Sequence, residues 1–174
     1  TNVLSGNGSL IKDGSGTVVI NTAGNTYSGG TTINAGRLGL NFSDALGTGN
    51  VVINSGAELG IGGITLANNV SGAGRIVKTG NLTANLTGTN THSGGLDVQG
   101  GAVNVTGNGA LGSGAVTTGS GTQLNYTNTA AATFSNGLSG AGTFNKLGAG
   151  QLSFANNFSI GTLNVSAGSV RINS

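Results

Sequence analysis

The stretch Asn25-Thr26-Tyr27-Ser28-Gly29-Gly30-Thr31-Thr32-Ile33-Asn34-Ala35-Gly36-Arg37-Leu38-Gly39-Leu40 occurs twice in this chain, Asn90 answering to Asn25. Its second form is Asn90-Thr91-His92-Ser93-Gly94-Gly95-Leu96-Asp97-Val98-Gln99-Gly100-Gly101-Ala102-Val103-Asn104-Val105. The same offset holds without a gap through Ala45-Leu46-Gly47-Thr48-Gly49 against Ala110-Leu111-Gly112-Ser113-Gly114, and on to Leu59 and Ile61 against Leu124 and Tyr126. Three openings mark the unit at nearly equal intervals: Ser5-Gly6-Asn7-Gly8, Ser71-Gly72-Ala73-Gly74 and Ser139-Gly140-Ala141-Gly142. Each leads into a short strand-like piece ending at Lys12, Lys78 or Lys146. Residues 1–174 therefore read as one segment with repeats at about 5–70, 71–138 and, incompletely, 139–174. Self-similarity of this kind belongs to architectures that stack their units.

A finer period lies inside each unit. Apolar residues alternate with polar ones over short runs, the pattern of a strand with one buried face. One series reads Val18/Ile20, Leu38/Leu40, Leu59/Ile61, Leu82/Ala84, Val103/Val105, Leu124/Tyr126, Leu152/Phe154 and Val170/Ile172. A second reads Leu10, Ile33, Val51, Ile76, Val98, Val116, Phe144 and Val165. Most steps in either series are roughly 20 residues long. Each series also has one distinctly longer step, from Leu124 to Leu152 in the first and from Val116 to Phe144 in the second. Ile64/Leu66 and Ala132/Phe134 are predicted as extra strands at the joins between units, with an excursion around Thr127 to Ala131. Helical spacing never develops, and glycine recurs too often to favour a helix.

These periods predict an all-β chain: a right-handed parallel β-helix, or β-solenoid, of roughly 7–8 coils of about 20 residues. Ile20, Leu40, Ile61, Val105 and Ile172 are expected in the stacked core, with Thr32 and Asn104 facing outward. Glycine and asparagine at the corners are expected to supply positive φ. An antiparallel sandwich or barrel is the alternative. Its hairpins would favour Asn-Gly turns, which occur only at Asn7-Gly8, Asn108-Gly109 and Asn136-Gly137.

Composition narrows the function classes. The chain is 36% hydrophobic and only 6% charged, the opposite of the balance that keeps chains disordered. Its six bases, Lys12, Arg37, Arg75, Lys78, Lys146 and Arg171, form no cluster, so nucleic acid is not an expected partner. Cysteine is absent, which fits an exported chain that must avoid disulfide trapping, although many cytosolic proteins lack it too. No apolar run approaches the length of a bilayer-crossing helix, so no membrane span is expected in this segment.

The first unit carries a specific motif. Gly6-Asn7-Gly8-Ser9-Leu10-Ile11-Lys12-Asp13-Gly14-Ser15-Gly16-Thr17-Val18, followed by Asn25 through Leu38, resembles the autotransporter-associated β-strand repeat. The second unit departs from it at Leu96-Asp97, and the third replaces the Ser-Gly-Gly turn by Phe158-Ser159-Ile160-Gly161. The resemblance implies the passenger domain of a type V secreted protein, an extracellular β-helix displayed at the cell surface and in many cases an adhesin.

Few residues offer chemistry. His92 is the single histidine and takes the place of Tyr27, so it is expected to pack a turn rather than to act as a base or ligand. Asp13, Asp44, Glu58 and Asp97 are all the acids, and no two are close in sequence, against a carboxylate pair. Lys12, Lys78 and Lys146 are expected as corner residues that aid solubility and discourage stray pairing. Calcium nonapeptides and a regular Thr-x-Thr ice-binding pattern are missing. No catalytic, cofactor-binding or metal residue is expected.

The expected function is a non-catalytic structural stalk or adhesin segment. Its partners would be neighbouring coils of the same polypeptide, with self-association or a host or matrix surface beyond them. A filament or biofilm module is the alternative, and a polysaccharide-active enzyme a distant one. Thr1-Asn2-Val3-Leu4 and Ile172-Asn173-Ser174 both look strand-like and uncapped, so end-to-end association or fraying is expected of the isolated segment.

Overall fold

The structure is a computed structural model that describes residues 2–172; Thr1, Asn173 and Ser174, and the strand-like reading of them, lie outside the described residues. Every strand pair is parallel, and the chain winds as a β-solenoid of about eight turns. Successive coils hydrogen-bond in register, so the rod is on the order of 40 Å long at the usual strand spacing.

Three faces close the cross-section. The first begins with Leu10–Lys12, Thr31–Ile33, Val51–Ile53 and Val70–Ser71. It continues through irregular chain, Thr91 N–H donating to Val70 O (2.8 Å) and Ser113 N–H to His92 O (2.9 Å). It ends as the sheet Ala132–Phe134, Gln151–Phe154 and Ser169–Ile172. The second face runs Thr17–Ile20, Arg37–Leu40, Glu58–Ile61, Arg75–Lys78, Leu96–Val98 and Val116–Thr118 into the start of Leu138–Leu147. The third runs Thr65–Leu66, Thr83–Leu86, Ala102–Thr106 and Gln123–Thr127 into the end of Leu138–Leu147. Phe158–Val165 pairs with that long strand along both halves, with a register shift between Gly140 and Thr143 where the chain turns the corner.

Stacking follows the coil rather than the repeat, which corrects the two series expected from sequence. On the second face the inward column reads Val18, Leu38, Leu59, Ile76, Leu96, Val116 and Leu138. Its steps are unequal, shortest from Leu59 to Ile76 and longest from Val116 to Leu138. The third face stacks Ala84, Val103, Leu124, Phe144 and Leu163. Residues related by the long repeat thus fall on different faces: Leu38 lies on the second and Val103 on the third. The long unit is three coils plus one face, so each repeat is rotated by one face from the last. The overlong step of each expected series disappears in this register. The strands Thr65–Leu66 and Ala132–Phe134, expected as fillers at the joins, supply the extra face. Thr129 to Ala131 form an exposed link into the latter, where the excursion was expected.

Leu40, Ile61 and Val105 are buried as expected, and Thr32 and Asn104 lie half-buried at outward positions. Ile20 and Ile172 depart from expectation. Ile20 is half-buried and Ile172 is 61% exposed, because each lies on the outermost described coil of its face, covered on one side only. Tyr126, Phe134, Phe144, Phe154 and Phe158 gather in the C-terminal coils, with ring centroids 4.5–5.9 Å apart. Among the described residues only glycines take positive φ; asparagine does not, contrary to expectation.

The lysines differ most from their expected place. Lys12, Lys78 and Lys146 are inside the rod, at 6%, 0% and 0% exposure. Their inward direction follows from register, since Lys78 stacks between Ile61 and Val98, and Lys146 between Tyr126 and Val165. Each Nζ donates to three backbone carbonyls in one recurrent cage. Lys12 reaches Asp13, Gly14 and Ala35 at 2.9, 2.7 and 2.9 Å. Lys78 reaches Thr79, Gly80 and Gly100 at 2.8, 2.9 and 2.9 Å. Lys146 reaches Leu147, Gly148 and Ala167 at 2.9, 2.7 and 3.2 Å. In each cage the second residue after the lysine is a left-handed glycine, and Gly14, Gly80 and Gly148 have φ of 74°, 74° and 82°. Burial lowers the pKa of Lys78 and Lys146; three charge-assisted bonds act in the opposite sense and hold the ammonium in place. Because one carbonyl in each set belongs to the following coil, the lysine ties two coils together at a corner.

Two substitutions test this arrangement. Leu40→Asp places an unpaired carboxylate in the stacked interior and should cost on the order of several kcal/mol; an unchanged melting temperature would contradict the register. Lys78→Met keeps the apolar stem of the side chain but strips three carbonyls of their donor, and should lower the urea-unfolding free energy by about 2–4 kcal/mol. The solvent-facing Arg75→Met should change it by no more than about 1 kcal/mol. Equal effects at the two sites would remove the structural role of the cage.

Candidate functional site

Polar side chains divide between the corners and the outer faces. At the corners, asparagines stand in for missing backbone bonds where a face is irregular. Asn25 accepts from Leu4 N–H (2.9 Å) and donates to Ala45 O (2.7 Å). Asn90 repeats this with Val70 N–H (2.8 Å) and Ala110 O (2.6 Å). A second bracket recurs in the same way: Asn68 donates to Gly47 and Gly49 carbonyls, and Asn136 to those of Gly112 and Gly114. Tyr27 and His92 fill the spaces these brackets frame. Tyr27 is 3% exposed and its hydroxyl shares a 2.7 Å bond with Thr31 Oγ1; burial raises its pKa, and that bond lowers it in part. His92 is fully buried in the equivalent place, as a turn-packing residue would be.

The acids do not converge. Glu58 sits in register between Arg37 and Arg75. It accepts from Arg75 Nε at 2.9 Å and lies 3.6 Å from Arg37. The Glu58 bond raises the Arg75 pKa. Asp97 accepts from Thr117 (2.8 Å) and Gln99 (2.7 Å), Asp44 from Gly24 N–H (2.8 Å), and Asp13 from Asn34 (2.6 Å). Each carboxylate is held by its own set of donors, and no two share a site. Among the described residues no group of three or more His, Cys, Asp or Glu could hold a metal ion. No helix of the described chain is long and apolar enough to cross a membrane.

With the lysines inside, the charges on the surface are Arg37, Arg75 and Arg171 against Asp13, Asp44, Glu58 and Asp97. The surface is therefore slightly acidic, although the sequence sums to +2. The strands of the third face carry no charged residue at their outward positions. Asn85, Asn104, Asn125, Asn145 and Asn164 form a continuous ladder there, each Nδ2 donating to the Oδ1 of the preceding rung at 2.7–2.9 Å. Thr83, Gln123, Thr143 and Thr162 line one side of it, and Thr106 and Thr127 the other. This flat uncharged strip is the candidate interaction surface. Sequence reading placed Asn104 outward but missed the ladder. The signal was there: an asparagine flanked by two inward residues recurs once per coil from Asn85 to Asn164.

Among known families, the pattern described as passenger-associated-transport-repeat matches three times, at residues 10–40, 76–105 and 144–172, together just over half of the chain. Neither a curated protein nor a solved structure gives a significant match. The three matches begin at Leu10, Ile76 and Phe144, two residues before each caged lysine, and run through the corner to the third following strand. The repeat, the caged lysines and the stacked parallel coils agree with one another: the chain is a β-solenoid that belongs to the passenger-associated-transport-repeat family.

Proposed function

We propose that this segment is a non-catalytic stalk of a secreted or surface-displayed passenger, giving reach and an extended adhesive face outside the cell. The observation that carries the reading is how the polar side chains are used. Buried lysines and corner asparagines bond one coil to the next, and the outer amides do the same along the ladder. Such a rod gains length with every repeat and keeps its cross-section, a property suited to presentation. Small-angle scattering on proteins with added copies of residues 71–138 tests it. Each copy should lengthen the particle by about 15 Å at constant cross-section, and a thickening particle would refute the stalk. For adhesion, cells displaying the passenger should lose attachment to a matrix-coated surface when the strip is altered by Asn104→Lys with Asn125→Lys, without losing display. Depolymerisation of a neutral or acidic polysaccharide that disappears with Glu58→Gln would favour the enzyme instead.

The uncharged strip also supports a second reading, lateral self-association. Two identical surfaces meet in an isologous contact, where any charge on the patch faces its own kind, and a patch without charge avoids that repulsion. Light scattering should then rise with concentration for the native segment and not for the double lysine variant. Equal scattering by both would exclude the strip as the contact.

A further inference from the structure

His92 is the titratable side chain that the stalk does not use. Its ring is fully buried, and neither Nδ1 nor Nε2 has a hydrogen-bond partner. Comparison of the repeats explains the orphaned nitrogens. Tyr27 bonds to Thr31, whereas in the second repeat histidine stands for the tyrosine and Leu96 for the threonine. The second repeat has a ring in the same site but no polar partner for it. The corner is closed on both sides, since His92 O accepts from Ser113 N–H and Thr91 N–H donates to Val70 O. A Cβ on Gly112 would stand 2.6 Å from Nδ1, so the following coil lies directly over the ring.

No charge is available to compensate a protonated ring. Val70–Ser71, Val116–Thr118, Ala132–Phe134 and the turn 110–114 contain no ionisable side chain. On Arg75–Lys78, Arg75 is tied to Glu58 outside and the Lys78 ammonium sits in its carbonyl cage. Asp97 lies on the outer side of its strand, bound to Thr117 and Gln99.

We propose that the His92 corner is an acid-sensitive latch: protonation of the imidazole opens residues 88–95 and the overlying turn 110–114, while the coils on either side stay stacked. A charged ring without a buried partner favours any conformation that lets it reach water. Burial holds the folded pKa below its ordinary value of 6.5; the Gly95 backbone, near the ring but outside hydrogen-bond geometry, opposes this in smaller part. The opened state therefore binds the proton more readily. Stability from the neutral ring is complete above about pH 6.5 and is lost as pH falls through the folded pKa. Within the acid range the opening constant should grow by up to about tenfold per pH unit. The corner around Tyr27 has no histidine, so it serves as an internal control.

Hydrogen exchange read by mass spectrometry between pH 7.5 and 4.5, corrected for intrinsic rates, tests the latch. Peptides covering 88–95 and 110–114 should accelerate in acid, while those covering 25–30 and 45–49 should not. His92→Phe should abolish the acceleration, as should His92→Tyr with Leu96→Thr, which copies the Tyr27–Thr31 pair and guards against a misfolded single variant. A native corner that exchanges at one corrected rate throughout, or an acceleration that persists in either variant, would overturn the proposal.

Discussion

The structure depends on one interaction repeated throughout: each coil gives its strand edges to the next in parallel register. A strand pairs on both edges, and an isolated coil of about 20 residues could satisfy neither its backbone nor its apolar side chains. Stacking meets both needs together, because the register that aligns Leu38 over Val18 also closes the ladder between their strands. Where the chain departs from strand geometry, side chains complete the ladder. Asn25 and Asn90 bridge the irregular stretches, and the lysine cages hold the corners where three carbonyls would otherwise converge without a donor.

The mismatch between coil and repeat has consequences for function. Had the repeat been a whole number of coils, the three lysines would share a column and equivalent loops would line one side of the rod. Three coils plus one face instead sends Lys12, Lys78 and Lys146 to three different faces, and the irregular stretches near Tyr27 and His92 rotate with them. Equivalent sequence therefore does not create an equivalent stripe. The stripe that does exist, the asparagine ladder, runs by coil and crosses repeat boundaries at steps the long period does not contain.

Rotation also lets repeats diverge one at a time. Each corner is framed by its own coil neighbours, so the change from Tyr27 to His92 and from Thr31 to Leu96 altered the chemistry of one corner and left the brackets of Asn25 and Asn90 alike. The charged groups behave similarly. Glu58 is paired with arginines one coil away on either side, and Asp97 accepts from a threonine on the next coil, so each acid finds its partners locally. The outward residues of the third-face strands are uncharged by residue type, which gives that side of the rod a polar surface of low field.

The sequence by itself determined the parallel solenoid, the coil length and most of the core. Alternation at Leu38/Leu40, Leu59/Ile61 and Val103/Val105 states which side of each strand is buried, and the recurrence of one long unit along the chain admits few architectures. What it could not determine was which strand lies over which. Alternation has period two and says nothing about the face a strand occupies, so Leu59 was aligned with Leu82 when it stacks on Ile76. That error hid the third face and the rotation. The lysines were misplaced because an ammonium is read as a surface group unless its acceptors are visible, and these acceptors are backbone carbonyls with no signature in residue type. Only the tertiary structure brings the carbonyl of Gly100 to Lys78, Asn104 to Asn85, and leaves the His92 ring without the hydroxyl that Tyr27 has in Thr31. The first two of these partnerships span about one coil of chain, and coil neighbours meet only once the corners between them have formed.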